Sequence, residues 1–441
     1  MRQHVLSLTA AAVGLVLIAG GVPASAQDET TITVDTTSVV VDFGGGRMVA
    51  DLPGPDGLTS LREAAIASTN TTGPEMIAFD IPTTDPGFDG EEFVIAIDPD
   101  PVPQRVSFGL EIGDDATTID ATTQPGGFPI VVEGGPQSTT DPDGGLRITS
   151  SGNAVIGLGV RGYANAMQAD GGSNNRFVGV TATGNANAIL FSGGGTGGVV
   201  SGSTVSDNLR IGIGAINTAD IVIDGNTITG NGNEGVFIQN GDRVSVTDNL
   251  ISGSGLAAIL HQGGIVGTIA GNTITDNDIW GIMVQGGRFS QQLTITGNSI
   301  ANNGALGIDL LGGKEDPAGS PGGGVTRNDP GDRDEGANGL LNYPEKLRAT
   351  DDGTATTVEG RITSPDPQTI TIELFANTAP DPSGFGEGET FLATATADAK
   401  GRFTATLPGG LAGQWITTTA TDAAGNTSEF SEAVQVAVPK K

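Results

Sequence analysis

The acidic residues Asp224 and Asp248 have types and spacing that could support acid/base chemistry. They fall at one turn of neighbouring units of the repeat described below, so strand spacing predicts about 5 Å of axial rise between them. Cleavage of a glycosidic bond uses a pair of carboxylates, and Arg210 could act as the base of a lyase. Aspartate is also a common turn residue, and we prefer this structural interpretation for both carboxylates.

His261 is the one histidine that follows a predicted leader at residues 1–26. The repeat places it in a column between Ile238 and Val284, which predicts an inward, packed side chain. The chain also contains no cysteine. The sequence therefore argues against a Ser-His-Asp triad, a thiol nucleophile and a zinc site built from Cys or His.

A further group of residues has the types that recognise sugars. An exposed indole can stack on the apolar face of a pyranose ring, while amides and carboxylates pair with its hydroxyl groups. The predicted glycan-binding residues are Glu234, Trp280, Gln239, Gln262 and Gln285. Two structural explanations stay open: the glutamines can stabilise the repeat by pairing with each other, and the tryptophan can pack under a loop.

Hard oxygen ligands cluster in an acidic segment that follows the repeat. Carboxylate and amide oxygens suit Ca²⁺, and the segment supplies Asp329, Asp332, Asp334, Glu335 and Asn338. The spacing lacks a complete D-x-D-x-D-G loop, so a solvated acidic linker is the competing interpretation. We expect the protein to require no cofactor, and calcium is the ion for which the sequence offers candidate ligands.

An internal repeat must position these side chains. Asn-x-Ile segments begin at Asn226, Asn249, Asn272 and Asn298, at spacings of 23, 23 and 26 residues. A fixed period of this length is typical of a solenoid, in which each unit buries its apolar face against its neighbours. One unit contains three short β-like runs separated by Gly, Asn or Asp, which predicts three strands per turn. The predicted fold is an all-β, three-sided parallel β-helix.

Alignment of the units predicts which residues stack. About seven turns are recognisable between residues 152 and 312. Three inward columns are predicted: Ile223, Val246, Ile269 and Ile295; Ile228, Ile251, Ile274 and Ile300; and Val236, Ile259, Ile282 and Ile308. Two turn columns are predicted for Asn226, Asn249, Asn272 and Asn298, and for Asn208, Asn231, Asn277 and Asn303.

The rest of the chain divides into further segments. Arg2, an apolar run and Ala24-Ser25-Ala26 are typical of a cleaved secretory signal. A capping box at Ser60 and Glu63 predicts a helix over 60–67, assigned to the open N-terminal end of the solenoid. Alternating runs late in the chain predict an antiparallel sandwich that covers or projects from the C-terminal end. The predicted parts are a signal peptide (1–26), an N-terminal cap with irregular first turns (27–151), the repeats (152–312), a Gly/Pro-rich connector (313–342) and the sandwich (343–438).

The charge is strongly acidic but unevenly distributed. The 20 basic and 51 acidic residues give a net charge of −31, which argues against nucleic acid or an anionic membrane as the main partner. Residues 152–312 hold 10 acidic and 5 basic residues, a net of −5. No apolar run after the leader reaches spanning length. The sequence predicts an exported protein, secreted or at the cell surface, whose near-neutral repeat faces carry its function.

Several segments resemble a known group of exported bacterial proteins. The N-x-I-x-x-N…G-I units are similar to the right-handed parallel β-helix repeats of the pectate-lyase-like superfamily. The segment 56–66 resembles the CSLREA signature but carries Thr59 where that signature has Cys. Further similar segments are 119–126, 328–332 with 339–344, and 420–430. The resemblance implies a right-handed β-helix followed by an Ig-like sandwich.

These observations lead to one functional hypothesis and two alternatives. The leading hypothesis is a non-catalytic β-helix that presents an extended surface to a polysaccharide or cell-surface glycan. The first alternative is a polysaccharide lyase or glycoside hydrolase, because relatives implied by the resemblance use exposed carboxylates, sometimes with calcium. The second is ice or surface binding through outward Thr-x-Thr pairs such as Thr227 and Thr229.

Overall fold

The computed structural model describes residues 29–97, 108–134, 144–312 and 324–438. The predicted signal peptide and residues 313–323 of the predicted connector lie outside these ranges. The described residues form a parallel β-solenoid followed by two antiparallel sheets, so the predicted all-β class is confirmed. No helix within the described ranges is long and apolar enough to cross a membrane.

Each full turn of the solenoid contributes a strand to each of three faces. The first face contains Thr30–Val34, Glu75–Phe79, Thr118–Asp120, Ala154–Ile156, Arg176–Val178, Val199–Ser201, Val222–Asp224 and Ser245–Thr247. The second face contains Phe93–Ala96, Ile130–Glu133, Gly159–Arg161, Thr181–Thr183, Thr204–Ser206, Thr227–Thr229, Leu250–Ser252, Thr273–Thr275 and Ser299–Ala301. The third face contains Phe108–Ile112, Gly144–Ile148, Asn165–Asp170, Asn187–Ser192, Ile213–Ile216, Val236–Gln239 and Ile308–Leu310. Two long strands, Ala257–Ala270 and Trp280–Thr296, begin on the third face and end on the first.

The strand register confirms the three inward columns. Ile223 pairs with Val246, and the column continues through Ile269 to Ile295. The columns on the second and third faces pair in the same way. These side chains are buried and belong to one core cluster that runs along the solenoid. Each buried Val or Ile contributes roughly 1.5–3 kcal/mol of transfer free energy, so the aliphatic columns are the main stabilising element.

A column of asparagines lies at the corner between the first and second faces. Nδ2 of Asn226 donates to Oδ1 of Asn249 at 2.9 Å, and the same bond joins Asn249 to Asn272 and Asn272 to Asn298. Each acceptor Oδ1 also takes the backbone N–H of the preceding asparagine. The column therefore pairs backbone groups that the corner would otherwise bury without partners.

The residue before each asparagine has a positive φ, which explains its type. Gly225, Gly271 and Gly297 have φ near +60°, and Asp248 takes the same position with φ +53°. Glycine adopts this conformation without strain, and aspartate tolerates it better than most residues. The repeated Gly-Asn and Asp-Asn pairs in the sequence are therefore a backbone requirement of the corner.

A second asparagine column lies between the second and third faces. Asn208 donates to Asn231 at 2.9 Å, and Asn277 donates to Asn303 at 2.8 Å. Ser254 replaces asparagine between these two pairs, and its backbone N–H still donates to Asn277 Oδ1. The predicted second column is therefore confirmed, with a break at one turn.

A helix covers part of the N-terminal end of the solenoid core. The α-helix Leu61–Asn70 begins at the predicted capping box, in which Ser60 Oγ accepts from the Glu63 N–H. Its buried residues include Leu61 and Ala64, which join the core cluster. The helix extends beyond the predicted 60–67. Short 3₁₀ turns lie at Val49–Asp51, Ala121–Thr123, Pro125–Gly127, Ala337–Leu340 and Pro367–Thr369.

Two antiparallel sheets form the C-terminal sandwich. One sheet contains Glu345–Asp351, Ala355–Arg361 and Arg402–Pro408. The other contains Thr390–Thr396, Thr371–Asn377, Trp415–Thr421 and Val434–Gln435. The strand–strand pairings within both sheets are antiparallel, as predicted.

The sandwich covers the C-terminal end of the solenoid. Glu387 Oε1 accepts the backbone N–H of Asn303 at 3.0 Å and its Nδ2 at 2.7 Å, the two bonds that an asparagine on a further turn would accept. Glu429 Oε1 accepts the N–H of Leu310, and Glu373 Oε2 accepts that of Gly297. Three glutamates of the sandwich thus pair N–H groups that an open end would expose.

Candidate glycan-binding surface

The predicted glutamine ladder lies on the outward side of the third face. Gln239, Gln262 and Gln285 are paired across three neighbouring strands. Gln239 Nε2 donates to Gln262 Oε1 at 3.2 Å, and all three side chains are half-buried. A primary amide carries two donors and two acceptor lone pairs, so each glutamine retains hydrogen-bonding capacity for a ligand.

An apolar stripe runs beside the glutamine ladder. Phe237, Leu260 and Met283 occupy one column, two residues before the glutamines on each strand. They alternate with the inward residues and pack together in a cluster separate from the solenoid core. The third face therefore combines an apolar stripe, which can contact the face of a sugar ring, with a row of amides, which can pair with the hydroxyl groups at the rim of that ring.

The expectation that Trp280 is exposed is wrong. Its side chain is only 9% exposed and packs with Ala257, Leu260 and Met283. The predicted column from Ala257 to Trp280 is correct. The indole lies against these apolar neighbours because they are small or flexible enough to receive it, and this contact removes apolar surface from water. Trp280 thus supports the apolar stripe rather than offering an open stacking platform.

Glu234 lies next to Ala257 in the column of Trp280 and is only 8% exposed. Burial raises the pKa of its carboxyl, while its own backbone N–H and the nearby positive charge of Arg210 oppose the shift. Arg210 itself is exposed at the corner before the third face. A carboxyl in this position is poorly placed to contact a bulky polymer directly.

The sequence interpretation missed a polar network at the N-terminal part of the third face. Arg147 donates to Asp170 Oδ2 at 2.5 and 3.2 Å and lies 3.5 Å from Glu111. Its guanidinium is also 5.7 Å from the centre of the Phe108 ring. Ser192 Oγ donates to the other oxygen of Asp170. Outward columns on neighbouring strands could have revealed this group, but paired residues on these strands are 36, 21 and 22 positions apart in the sequence instead of 23.

The structure does not bring Asp224, Asp248 and Arg210 together. Asp224 ends a first-face strand and accepts the Thr247 hydroxyl at 2.5 Å. Asp248 is the positive-φ residue of the corner, one position further along, so the two carboxylates share the predicted turn but not a column. Arg210 lies at a different corner, where its backbone bonds Ala186 and Asn233.

His261 lies in the core, between Ile238 and Val284, as its column predicts. It is 2% exposed, and Nδ1 has no hydrogen-bond partner within the described residues. Burial lowers the pKa of the imidazole to about 4, so it is neutral at pH 7. A buried, neutral imidazole of this kind has no access to a polymeric substrate.

The acidic segment after the repeat brings three of its five predicted ligands together. Carboxylate oxygens of Asp329, Asp332 and Asp334 lie within 4.8 Å of one another. Burial, reinforced by the neighbouring charges, raises the pKa of Asp332 to about 6. Glu335 is exposed and outside the group. Asn338 is buried, and its amide bonds Leu293 and Thr427, so it is committed to the contact between solenoid and sandwich.

The predicted Thr-x-Thr pairs lie on the outward side of the second face. Thr181, Thr204 and Thr227 pair in one column, and Leu250 then interrupts it. The first threonine of each pair is exposed and the second position is half-buried. Ice or surface binding by this face stays a prediction, which a thermal-hysteresis measurement on Thr227→Tyr and its parent would test.

Family models match two parts of the chain. A model described as a right handed beta helix region matches two overlapping segments, 140–266 and 187–318. A bacterial Ig domain model matches residues 385–439. No curated protein matches the chain.

Several solved structures are similar to this chain at low sequence identity. A pectate lyase, Pel9A, is 12% identical over 64% of this chain and 73% of its own, with a TM-score of 0.43. A rhamnogalacturonan lyase is 10% identical over 62% and 73%, also at 0.43. A DFA-IIIase from Arthrobacter chlorophenolicus A6 is 15% identical over 43% of this chain and 51% of its own, at 0.32. These similarities concern the fold and assign no role to a residue.

Proposed function

Because the chain combines a right-handed parallel β-helix with a bacterial Ig-like domain, we propose that it is an exported protein that binds a polysaccharide or cell-surface glycan. The glycan lies along the outward side of the third face and is not cleaved. The observation that carries the proposal is the glutamine ladder beside the apolar stripe of Phe237, Leu260 and Met283.

The geometry of this surface suits an extended chain of sugars. Parallel strands rise about 4.8 Å per turn, so two turns span roughly the length of two linked pyranose rings. Gln239, Gln262 and Gln285 therefore repeat at a spacing that can meet successive hydroxyl groups. The apolar stripe gives the ring faces a surface that excludes water.

The described residues favour binding over catalysis. His261 is buried and neutral, and Asp248 serves a backbone turn. Arg147, the best-placed base on the third face, is held by Asp170 and Glu111. A guanidinium offers N–H donors and no acceptor, so it makes a poor general base.

The direct test replaces one amide of the ladder. Gln262→Ala removes an amide that the ligand would use, and two lost hydrogen bonds of about 0.7 kcal/mol each correspond to roughly tenfold weaker binding. Thr229→Ala, an outward half-buried residue of the second face, is the matched control. Affinity is measured by calorimetry on soluble polysaccharides, including pectin and alginate. Equal affinity of Gln262→Ala and its parent would remove the third face from the proposal.

Polysaccharide lyase or hydrolase activity is the second candidate, and the Arg147, Asp170 and Glu111 group favours it. This group places two carboxylates beside one guanidinium on an outward surface, and the carboxylates are the groups that could carry acid/base chemistry. If the parent protein forms reducing or unsaturated products and Asp170→Asn forms none, the function of this surface is catalysis instead of binding. The same product assay on Asp224→Asn and Asp248→Asn tests the carboxylates predicted from the repeat.

We also propose that the Asp329, Asp332 and Asp334 group binds calcium. The three carboxylates offer hard oxygens within reach of one ion, and Asp334 Oδ1 is buried without a hydrogen-bond partner in the described structure. A cation would offset the repulsion that helps to raise the pKa of Asp332, which is the physical reason to expect binding.

A further inference from the structure

A cleft of about 220 Å³ interrupts the outward surface of the second face near its N-terminal end. Pro129, Val131 and Gly159 line its floor, and Glu92, Arg161, Thr181 and Thr183 are among the residues around it. It lies on a different face from the glutamine ladder. Its volume is below the range of drug-sized pockets, so it suits a single sugar ring rather than a longer ligand.

A missing side chain produces the cleft. Gly159 stands in the outward column between Val131 and Thr181. The following turns carry Thr204 and Thr227 in this column. A Cβ at Gly159 would lie only 3.0 Å from Val131 Cγ2, so a side chain there would crowd the Val131 side chain at the floor of the cleft. Glycine in a strand often marks a position where another group comes close to the backbone. At Gly159 that group can be a ligand in the cleft.

The polar side of the cleft is held rigid. Arg161 Nε donates to Glu133 Oε1 at 2.8 Å, and Nη1 donates to Glu92 Oε1 at 2.7 Å. Burial would lower the pKa of this guanidinium, but its bonds to Glu133 and Glu92 outweigh that effect and raise it. Arginine has five N–H donors in a fixed plane, and these two bonds use two of them. The remaining donors are oriented before any ligand arrives, which reduces the entropy lost on binding.

The charge around the cleft selects among sugars. Glu92 and Glu133 pair with Arg161, and hydrogen bonds from the backbone N–H groups of Glu92 and Glu91, with a smaller effect of the same guanidinium, lower the pKa of Asp89. Two carboxylates bonded to one guanidinium leave net negative charge on this side of the cleft. A uronic acid would bring another carboxylate into this field, and like charges at close range are unfavourable.

We propose that this cleft binds one neutral pyranose ring of a glycan, at its end or at a branch. The apolar face of the ring lies on Pro129 and Val131. Vicinal hydroxyl groups accept from the free donors of Arg161 and donate to Glu92, and Thr181 adds a hydroxyl at the rim. The site is separate from the third face, and it favours neutral sugars over uronic acids.

The test uses methyl glycosides of neutral hexopyranoses and of the matching uronic acids as probes. Saturation-transfer NMR and titration of the full chain should show saturable binding of at least one neutral glycoside and at least tenfold weaker binding of its uronate. Gly159→Thr, which introduces the residue found later in the column, should reduce that binding at least tenfold. Thr204→Val, in the same column away from the cleft, should leave it unchanged.

A second variant keeps the test decisive if Gly159→Thr does not fold. Thr181→Val removes the rim hydroxyl at nearly constant volume and should weaken binding several-fold. Unchanged binding in a folded Gly159→Thr or in Thr181→Val would overturn the proposal, as would equal binding of uronates or no saturable binding of any neutral glycoside. None of these outcomes bears on the third face, where Gln262→Ala reports separately.

Discussion

At the scale of residues, the asparagine columns show how single side chains hold the solenoid corners. Asn249 accepts from the backbone and side chain of Asn226 and donates to Asn272 and to the Ile223 carbonyl. Asn249→Ala leaves several buried groups unpaired, at about 1–3 kcal/mol each. We expect a loss of roughly 3 kcal/mol or more in urea unfolding, against less than about 0.5 kcal/mol for the outward control Ser252→Ala. Similar losses in both variants would contradict the role assigned to the column.

His261 should make the protein sensitive to acid. Burial lowers its pKa to about 4, against an ordinary value near 6.5. As the pH falls below about 6.5, the unfolded chain takes up a proton that the folded chain refuses, so stability falls toward pH 4. His261→Val introduces the residue type found at Val284 of the same column. It should remove the part of the pH dependence of the unfolding free energy that comes from His261. The comparison of urea unfolding at pH 7 and pH 4.5 checks it: parallel pH profiles of variant and parent would show that His261 is not responsible.

At the scale of elements, the sandwich acts as the next turn of the solenoid. Burial raises the pKa of Glu387 to about 7, with a smaller contribution from Asp381, although its bonds to Asn303 oppose the shift. A raised carboxyl pKa means that the folded chain keeps a proton which the unfolded chain loses above about pH 4.5. Stability of the docked end is therefore present at low pH and falls as the pH rises toward 7.

Glu387→Gln tests this contact because it keeps the Oε1 acceptor for Asn303 and removes the titration. Hydrogen exchange of the last solenoid turn should increase between pH 5 and pH 8 in the parent, after correction for intrinsic rates, and remain flat in the variant. Glu389→Gln, on the same loop and bonded to Thr378, is the control and should behave like the parent. A flat parent profile would count against the assignment.

The elements were predictable where the repeat is regular. A strict spacing between Asn226 and Asn272 fixes the register of every residue between them, so the ladders and the column of His261 follow from the sequence alone. The burial of Trp280 did not follow, since register defines a column but not how a side chain lies on its neighbours. Arg161 and Glu92 are 69 residues apart across irregular turns, where no period predicts a contact.

At the scale of the whole molecule, the acidic group lies in the segment between solenoid and sandwich, where a bound ion would stabilise both. Calcium should raise the melting temperature by a few degrees at pH 7.5, and the effect should disappear near pH 5, because Asp332 has a pKa of about 6 and then holds a proton. Asp332→Asn should abolish the calcium-dependent rise in melting temperature. Glu335→Gln, which changes an exposed neighbour outside the group, should retain it. Identical melting curves in calcium and in excess chelator would rule out the site.

The central claim is that the β-helix holds a glycan without cleaving it. The measurement that tests it most directly applies the parent protein to immobilised polysaccharides, records bound protein, and analyses the same wells for released oligosaccharides. We expect saturable binding to at least one polymer, roughly tenfold weaker in Gln262→Ala, with no product after prolonged incubation. Products that accumulate in proportion to enzyme and time would contradict it.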